Sequence, residues 1–594
     1  MTRPSRSLRF FAVIGVLSTA VALLALFTVS VRCACGGPGV PVKTVLEIDF
    51  ERPFAEHAAA DPIARALGGG GPTVDDLVAA LERARTDDRV AGLVAHIGGA
   101  GSGLARTQEL RDAIAGFRAS GKFAVAFSET FGEFGPGNQG YYLATAFDEI
   151  WLQPSGDVGL NGLMMQPTFY RGALDKLDVA VRMDHRYEYK NALNQYTERA
   201  FTPAHKEASQ AVLGSMFDQL VSGIAERRQL APEAVRALID RGPFLGPEAL
   251  KEGLVDKLGY RDEVMAAVKA RAGDGAELLW HDRYLDRAGS PWTRGARIAV
   301  VYGLGPVQRG ESSFDPLFRE ATMGSDTVGA ALRAAIDDPE VKAIVFRVDS
   351  PGGSYVASDA IWRETVRAKQ AGKPVIVSMG NVAGSGGYFV AMHATKIVAQ
   401  PGTITGSIGV LGGKMLTRQL FERLGVTYDA IGSSANSDFF SDTHDYSAQG
   451  WQRFQAWLDR VYVDFTTKVA EGRGLPIEKV REVAKGRIWT GADAKELGLV
   501  DELGGWPVAL RLAREAAGLD ADADIELKVY PEDKGLLGSL LGGGNDNSES
   551  VAAQVQLTVG LVDELRPVAA ELRALGLGPG AHGVVSTLPV ALGD

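Results

Sequence analysis

Cysteine is nearly absent from this chain. Its 594 residues carry two, Cys33 and Cys35, separated by one residue near the N-terminus. That excludes a disulfide scaffold, and a cysteine-based metal site anywhere else in the chain. Histidine is scarce too, at eight residues. No long run of Lys and Arg occurs, and the net charge is −11 with a pI of about 5.4. Nucleic-acid binding therefore has little support. Beyond residue 31, no apolar run is long enough to cross a bilayer. Glycine, at 72 residues, is abundant, which implies many tight turns. Hydrophobic content of 46% and charge of 23% fit an ordinary globular protein. The length calls for two or more domains.

One long apolar run exists. Arg3, Arg6 and Arg9 precede Phe10–Val31, 22 residues without a charge. A helix of that length spans a hydrocarbon core of about 30 Å. It is longer than the usual apolar stretch of a cleaved signal peptide. The preceding arginines favour a cytoplasmic N-terminus, although Arg32 weakens the bias. The expectation is a transmembrane signal anchor within residues 1–35, with the rest of the chain outside the cytoplasm. A cleaved signal peptide, with a weak site near VRCACGG, is the alternative.

The remainder repeats itself. DDRVAGLVAHIGGAGSG from Asp87 matches DDPEVKAIVFRVDSPGGS from Asp337. SGKFAVAF matches AGKPVIVS, pairing Gly121 with Gly372 (372 − 121 = 251). QGYYLATAFDEIWLQPSGDVGLNGL from Gln139 matches GGYFVAMHATKIVAQPGTITGSIGV from Gly386 (386 − 139 = 247). EALKEGLVDKLG and DAKELGLVDELG close the two copies. The units are placed at 42–262 and 297–512. Within each, short β-branched runs alternate with segments of helical period, which implies an α/β fold with parallel strands and helix cover. Each unit ends in a longer helical region of the kind that often serves oligomerisation. Residues 535–594 begin with a linker-like GLLGSLLGGGNDNSES and are expected to form a flexible tail.

The duplication separates what the fold needs from what only one copy has. Ser385, in NVAGSGGYFVAM, aligns with Asn138 (385 − 247 = 138), while Gly387 and Tyr388 align with Gly140 and Tyr141. The hydroxyl is special to the second unit, although Asn is also a good turn residue and a structural role stays open. DSPGGS lies about thirty residues earlier. Its glycines allow backbone amides to approach a ligand, as an oxyanion site requires. The first unit keeps glycines there (HIGGAGSG) but lacks Asp-Ser-Pro. A base is harder to find. The second unit holds only His393 and His444. His393 lies eight residues past Ser385 on the following helix, about 12 Å along it. A buried lysine is the other option, since burial favours the free amine. Lys190, in YEYKNALNQYT of the first unit, aligns with Ser437 (190 + 247 = 437). Most lysines are solvated surface charges, so Lys190 by itself would be a weak candidate.

Together, NVAGSGGYFVA, DSPGGS, PGTITGSIGV and YEYKNALNQYT resemble the signal peptide peptidase A family, in its long tandem-repeat form. The resemblance covers both units. It implies two tandem units of the ClpP/crotonase fold and a serine protease with a Ser/Lys dyad. Residue by residue it implies Ser385 as nucleophile, Lys190 as general base and Ser407 as the hydroxyl that orients Lys190. Ser407 aligns with Leu160 (407 − 247 = 160), a third asymmetry. The amides of Gly353 and Gly386 would form the oxyanion hole. No cofactor or metal is implied. The family further implies cleavage of signal peptide remnants and other apolar peptides at the outer face of the bacterial cytoplasmic membrane, by a homotetramer. Two rival readings are an acyl-CoA enzyme on the same fold and a non-catalytic membrane-tethered scaffold.

Overall fold

The computed structural model describes residues 39–52, 54–58, 71–99, 102–315, 320–531 and 592–593. The expected anchor at Phe10–Val31 lies outside them. Among the described residues no helix is long and apolar enough to cross a membrane. Of the tail, only Leu592–Gly593 is described, as a short antiparallel pair with Met164–Met165.

In the first unit the principal strands are β1 (Thr44–Asp49), β2 (Val90–His96), β3 (Phe123–Ser128), β4 (Glu149–Leu152), β5 (Ala180–Arg186), β6 (Lys257–Leu258) and β7 (Glu277–Trp280). All but β5 form one parallel sheet in the order β7-β1-β2-β3-β4-β6. In the second unit they are β8 (Ala296–Leu304), β9 (Val341–Ser350), β10 (Val375–Gly384), β11 (Lys396–Ala399), β12 (Ile404–Gly406), β13 (Val410–Leu416), β14 (Ile488–Thr490), β15 (Glu502–Leu503) and β16 (Ile525–Tyr530). The second sheet runs β14-β12-β10-β9-β8-β16, with β11 beside β10 and β15 beside β11. All its pairings are parallel except β12 with β14. Each sheet takes in one strand past the unit's end as drawn on the sequence, β7 beyond 262 and β16 beyond 512.

Six helices matter for the site: α1 (Leu104–Arg118), α2 (Asn138–Ala144), α3 (Pro203–Arg228), α4 (Tyr355–Gln370), α5 (Gly386–Ala391) and α6 (Ala448–Arg473). The long helices α3 and α6 are equivalent, each 26 residues, each capped by a hydroxyl (Thr202, Ser447) and ended by a left-handed residue (Gln229, Gly474).

The two units share a core. Along β8, Ile298 and Val300 face a cluster that also holds Leu46, Ile48, Leu93 and Ala95 of the first unit. Their neighbours Ala299 and Val301 face a separate cluster with Phe389, Val461 and Phe465. The alternation follows from a strand's period of two, and parallel strands are buried on both faces. A second junction is a ribbon, β5 of the first unit paired antiparallel with β13 of the second over seven residue pairs.

Candidate active site

Strand β10 delivers Ser385. Its last residues pair with β9 on one side and β12 on the other. The chain then turns at Ser385, which has φ 52° and ψ −116°, and enters α5. A left-handed conformation costs a non-glycine residue about 1–3 kcal/mol and persists only where surroundings enforce it. Here the Ser385 amide donates to the Gly406 carbonyl (2.9 Å), and the Ser385 carbonyl accepts from the Phe389 amide (2.9 Å). The serine is thus held at the mouth of α5 by the backbone on both sides.

The first unit's counterpart behaves differently. Asn138 is the first residue of α2, and its amide side chain is fully engaged with residues 161 and 162. It serves as an internal loop clamp. The alignment is secured by the neighbouring tyrosines, since the Tyr141 hydroxyl donates to the Leu254 carbonyl and the Tyr388 hydroxyl to the Leu499 carbonyl.

The glycine turn of DSPGGS folds over Ser385. Gly352 has φ +103° and Gly353 φ +156°. The turn is pinned by the Val307 amide donating to Gly352 (2.9 Å) and the Ser354 amide donating to Val307 (2.8 Å). A Cβ on Gly352 would lie 2.6 Å from the Gly386 nitrogen and 2.7 Å from Ser385 Cβ. One on Gly353 would lie 2.1 Å from the Val307 oxygen. Only bare backbone fits there. Among the described residues, neither the Gly353 nor the Gly386 amide is taken up by an acceptor.

Lys190 arrives from the first unit along the β5–β13 ribbon, whose last pair is Arg186 with Val410. The Tyr187 and Tyr189 amides both donate to the Lys485 carbonyl of the second unit (3.1 and 3.2 Å). A Cβ on Gly486 would meet Lys190 Cβ at 2.4 Å, so the loop that carries Lys190 lies directly on that glycine. Lys190 is 5% exposed. Its Nζ lies 3.0 Å from Ser385 Oγ, 2.9 Å from Ser407 Oγ and 2.8 Å from the Ser407 carbonyl oxygen. Burial lowers its pKa to about 7. Three oxygens match the three hydrogens of an ammonium, but none is a carboxylate that would compensate the buried charge. A free amine there can donate to the two oxygens of Ser407 and turn its lone pair towards the Ser385 hydroxyl. Ser407 (φ +51°) is itself held by its amide donating to the Arg487 carbonyl (2.7 Å).

All five residues singled out in the sequence, Lys190, Gly353, Ser385, Gly386 and Ser407, line one pocket. Neither histidine of the second unit lines it. His393 packs edge-on against Trp362, and His444 lies in a surface loop near Arg418. The counterparts Leu160 and Ser437 are a buried core residue and an exposed loop serine bonded to Ser434.

The apolar walls of this pocket escaped the sequence reading. Tyr355, Phe389, Leu411, Val461 and Phe465 supply them. The inward face of α6 repeats at Leu458, Val461, Tyr462, Phe465 and Val469, a helical period visible in the sequence. Only its destination was hidden. Behind Lys190 lies a second small cavity, lined also by Gln195, Ser209 and His205, whose burial holds its pKa down at about 4. Among the described residues, one group of side chains has spacing suited to a metal, Asp49, Glu51 and His96, at the strand ends of the first unit. Its imidazole is already flanked by Asp49 and Glu129, and it shares no residue with the pocket.

The comparisons with known proteins agree with this architecture. The profile of peptidase family S49 matches residues 134–274 and 367–520, one segment in each unit. Protease 4 of Salmonella typhi is 32% identical over 515 residues, covering 84% of this chain and 80% of that protein. The chain belongs to peptidase family S49. Protease 4 of Haemophilus influenzae is 31% identical over 524 residues, 84% of this chain and 82% of that one. The chloroplastic serine protease SPPA of Arabidopsis thaliana is 30% identical over 495 residues, 81% of this chain and 71% of that one. Membership of this peptidase family makes the chain a serine protease acting on peptide bonds.

Proposed function

We propose that this S49 peptidase is a Ser/Lys-dyad endopeptidase that degrades cleaved signal peptides and other apolar peptides. The observation that carries the reading is Lys190 Nζ, buried without a carboxylate, 3.0 Å from Ser385 Oγ. Ser385 attacks the peptide carbonyl while neutral Lys190 takes its proton. The C–N bond breaks as Lys190 returns that proton to the leaving amine. The Gly353 and Gly386 amides hold the tetrahedral oxyanion. Water, giving a proton to Lys190, then attacks the acyl ester and frees Ser385. Ser407 keeps the amine aimed at Ser385.

The pocket walls support apolar substrates, since Phe389, Leu411, Val461 and Phe465 offer a side chain no charge to pair with. The uncharged run Phe10–Val31 supports a membrane anchor beside the bilayer from which such peptides emerge. Exposed Leu424, Val426, Ile431 and Phe440, close together in sequence, support an interface with other copies of the chain, and the homotetramer is what the family resemblance implies.

The test is hydrolysis of an apolar peptide ester by the full-length chain. Wild type turns it over, and Ser385→Ala and Lys190→Ala do not. Activity retained in Lys190→Ala would end the dyad reading.

A further inference from the structure

The first unit grips the second at a point distinct from Lys190. The pairing of β9 with β10 slips there. Val348 pairs with Met379 but Ser350 pairs with Ala383, so one residue, Asp349, faces three, Gly380, Asn381 and Val382. This bulge lies immediately before both working loops, four residues ahead of Gly353 and three ahead of Ser385. A bulge leaves ladder amides unpaired and leaves the strand free to bend. Asp349 repairs it, since its Oδ1 accepts from the Val382 amide (2.9 Å). A Cβ on Gly380 would meet the Asp349 carboxyl carbon at 2.8 Å.

Asp349 is held in turn from the first unit. Arg106, in the first turn of α1, reaches Asp349 Oδ2 with Nη2 (3.3 Å). The Arg106 backbone amide donates to Asn381 Oδ1 (3.0 Å), and Asn381 Nδ2 donates to the Ser102 carbonyl (2.8 Å). The same edge of the Arg106 guanidinium is held by Glu56, whose Oε1 accepts from Nε (3.0 Å) and lies 2.9 Å from Nη2, and which also pairs with Arg347, itself fully buried. Residue 106 therefore contacts both strands of the bulge, β9 through its guanidinium and β10 through its backbone amide. The repeat adds an independent argument. Asp349 aligns with Gly98 (349 − 251 = 98) and Arg106 with Ala357 (106 + 251 = 357). Like Ser385 and Lys190, the two partners are split between the units and neither is duplicated.

We propose that Arg106 is a positioning residue, its guanidinium acting through Asp349 to set the Gly353 amide and Ser385 at the separation acyl transfer requires. The inference rests on the proposed roles of Ser385 and Gly353. It also gives the duplication a second use, because the first unit supplies the base and aligns the oxyanion turn with the nucleophile.

The experiment uses the full-length chain and the variants Arg106→Gln, Arg106→Lys, Asp349→Asn and the double Arg106→Gln/Asp349→Asn. It reads kcat and KM on a peptide ester, with thermal unfolding alongside. Misplacing reacting groups by about 1 Å costs on the order of 100-fold in rate. Arg106→Gln and Asp349→Asn should each lower kcat by about 10- to 100-fold with KM nearly unchanged. The double variant should be no worse than the weaker single, and Arg106→Lys should recover part of the loss. Wild-type kcat in Arg106→Gln, or losses that multiply in the double variant, would overturn the proposal. If Arg106→Gln does not fold, the near-isosteric Asp349→Asn decides alone, and wild-type kcat there overturns it. Failure of the underlying site reading shows separately, as wild-type protein whose Ser385 takes up no serine-directed fluorophosphonate.

Discussion

Lys190 Nζ and Ser385 Oγ lie 3.0 Å apart across 195 residues of chain, and across the boundary between two copies of one ancestral unit. Neither copy holds the pair. The β5–β13 ribbon and the loop at Gly486 bring Lys190 over, and the strand pairings on both sides of β10 hold Ser385 still. In the proposed mechanism each unit is inert alone.

The pH dependence follows from the burial of Lys190. Only the free amine accepts a proton, so kcat/KM should rise with pH through about 7, the value to which burial lowers this lysine. Stability moves in the same direction. Between about 7 and the ordinary lysine value of 10.5 the unfolded chain binds a proton that the folded chain does not, so stability rises with pH. Below about 7 the cost of the buried charge is present in full, roughly 4–5 kcal/mol. Lys190→Met should therefore raise the unfolding temperature at pH 6, by an increment that shrinks towards pH 10. Scanning calorimetry at both pH values checks the sign.

Ser407→Ala removes one of the two oxygens that hold the amine. A base free to swing meets the Ser385 proton less often, and kcat should fall by about 10- to 100-fold with little change in KM. Steady-state kinetics on one ester distinguishes this from a binding defect, which would appear in KM.

Gly352→Ala places a methyl 2.6 Å from the Gly386 nitrogen and 2.7 Å from Ser385 Cβ. It should displace the oxyanion turn and reduce kcat by on the order of 100- to 1,000-fold, the usual cost of losing an oxyanion donor. Unchanged kinetics would show that the turn takes no part.

Val461→Trp would fill the pocket from α6. Turnover of peptides with Leu or Phe at the cleaved bond should fall more than turnover of peptides with Ala there, each methylene being worth about 1–3 kcal/mol of discrimination. Profiling a mixed peptide library by mass spectrometry reads the shift.

Much of this was legible in the sequence because duplication leaves a record. Alternating strand and helix periods in both copies implied parallel α/β units, and Ser385 stood out because Asn138 differs from it, whereas Lys190 and Ser407 came from the family resemblance, with Ser437 and Leu160 as their differing counterparts. What stayed hidden was contact between the copies. Arg106 and Asp349 are 243 residues apart, and neither sits in a motif that announces a partner. The pocket walls Val461 and Phe465 have helical spacing, yet nothing in the spacing says which surface they face. The slip in the β9–β10 register is equally silent, because it depends on which residues two strands align and on a carboxylate that can replace a lost backbone acceptor. The anchor and nearly all of the tail fall outside the described residues.

The most direct test is the site and rate of modification by a serine-directed fluorophosphonate in the full-length chain, read by peptide mass spectrometry. The dyad predicts one adduct, on Ser385, formed faster as pH rises through about 7 and nearly abolished in Lys190→Ala. An adduct on another serine, or equal labelling of Ser385 in Lys190→Ala, would contradict it.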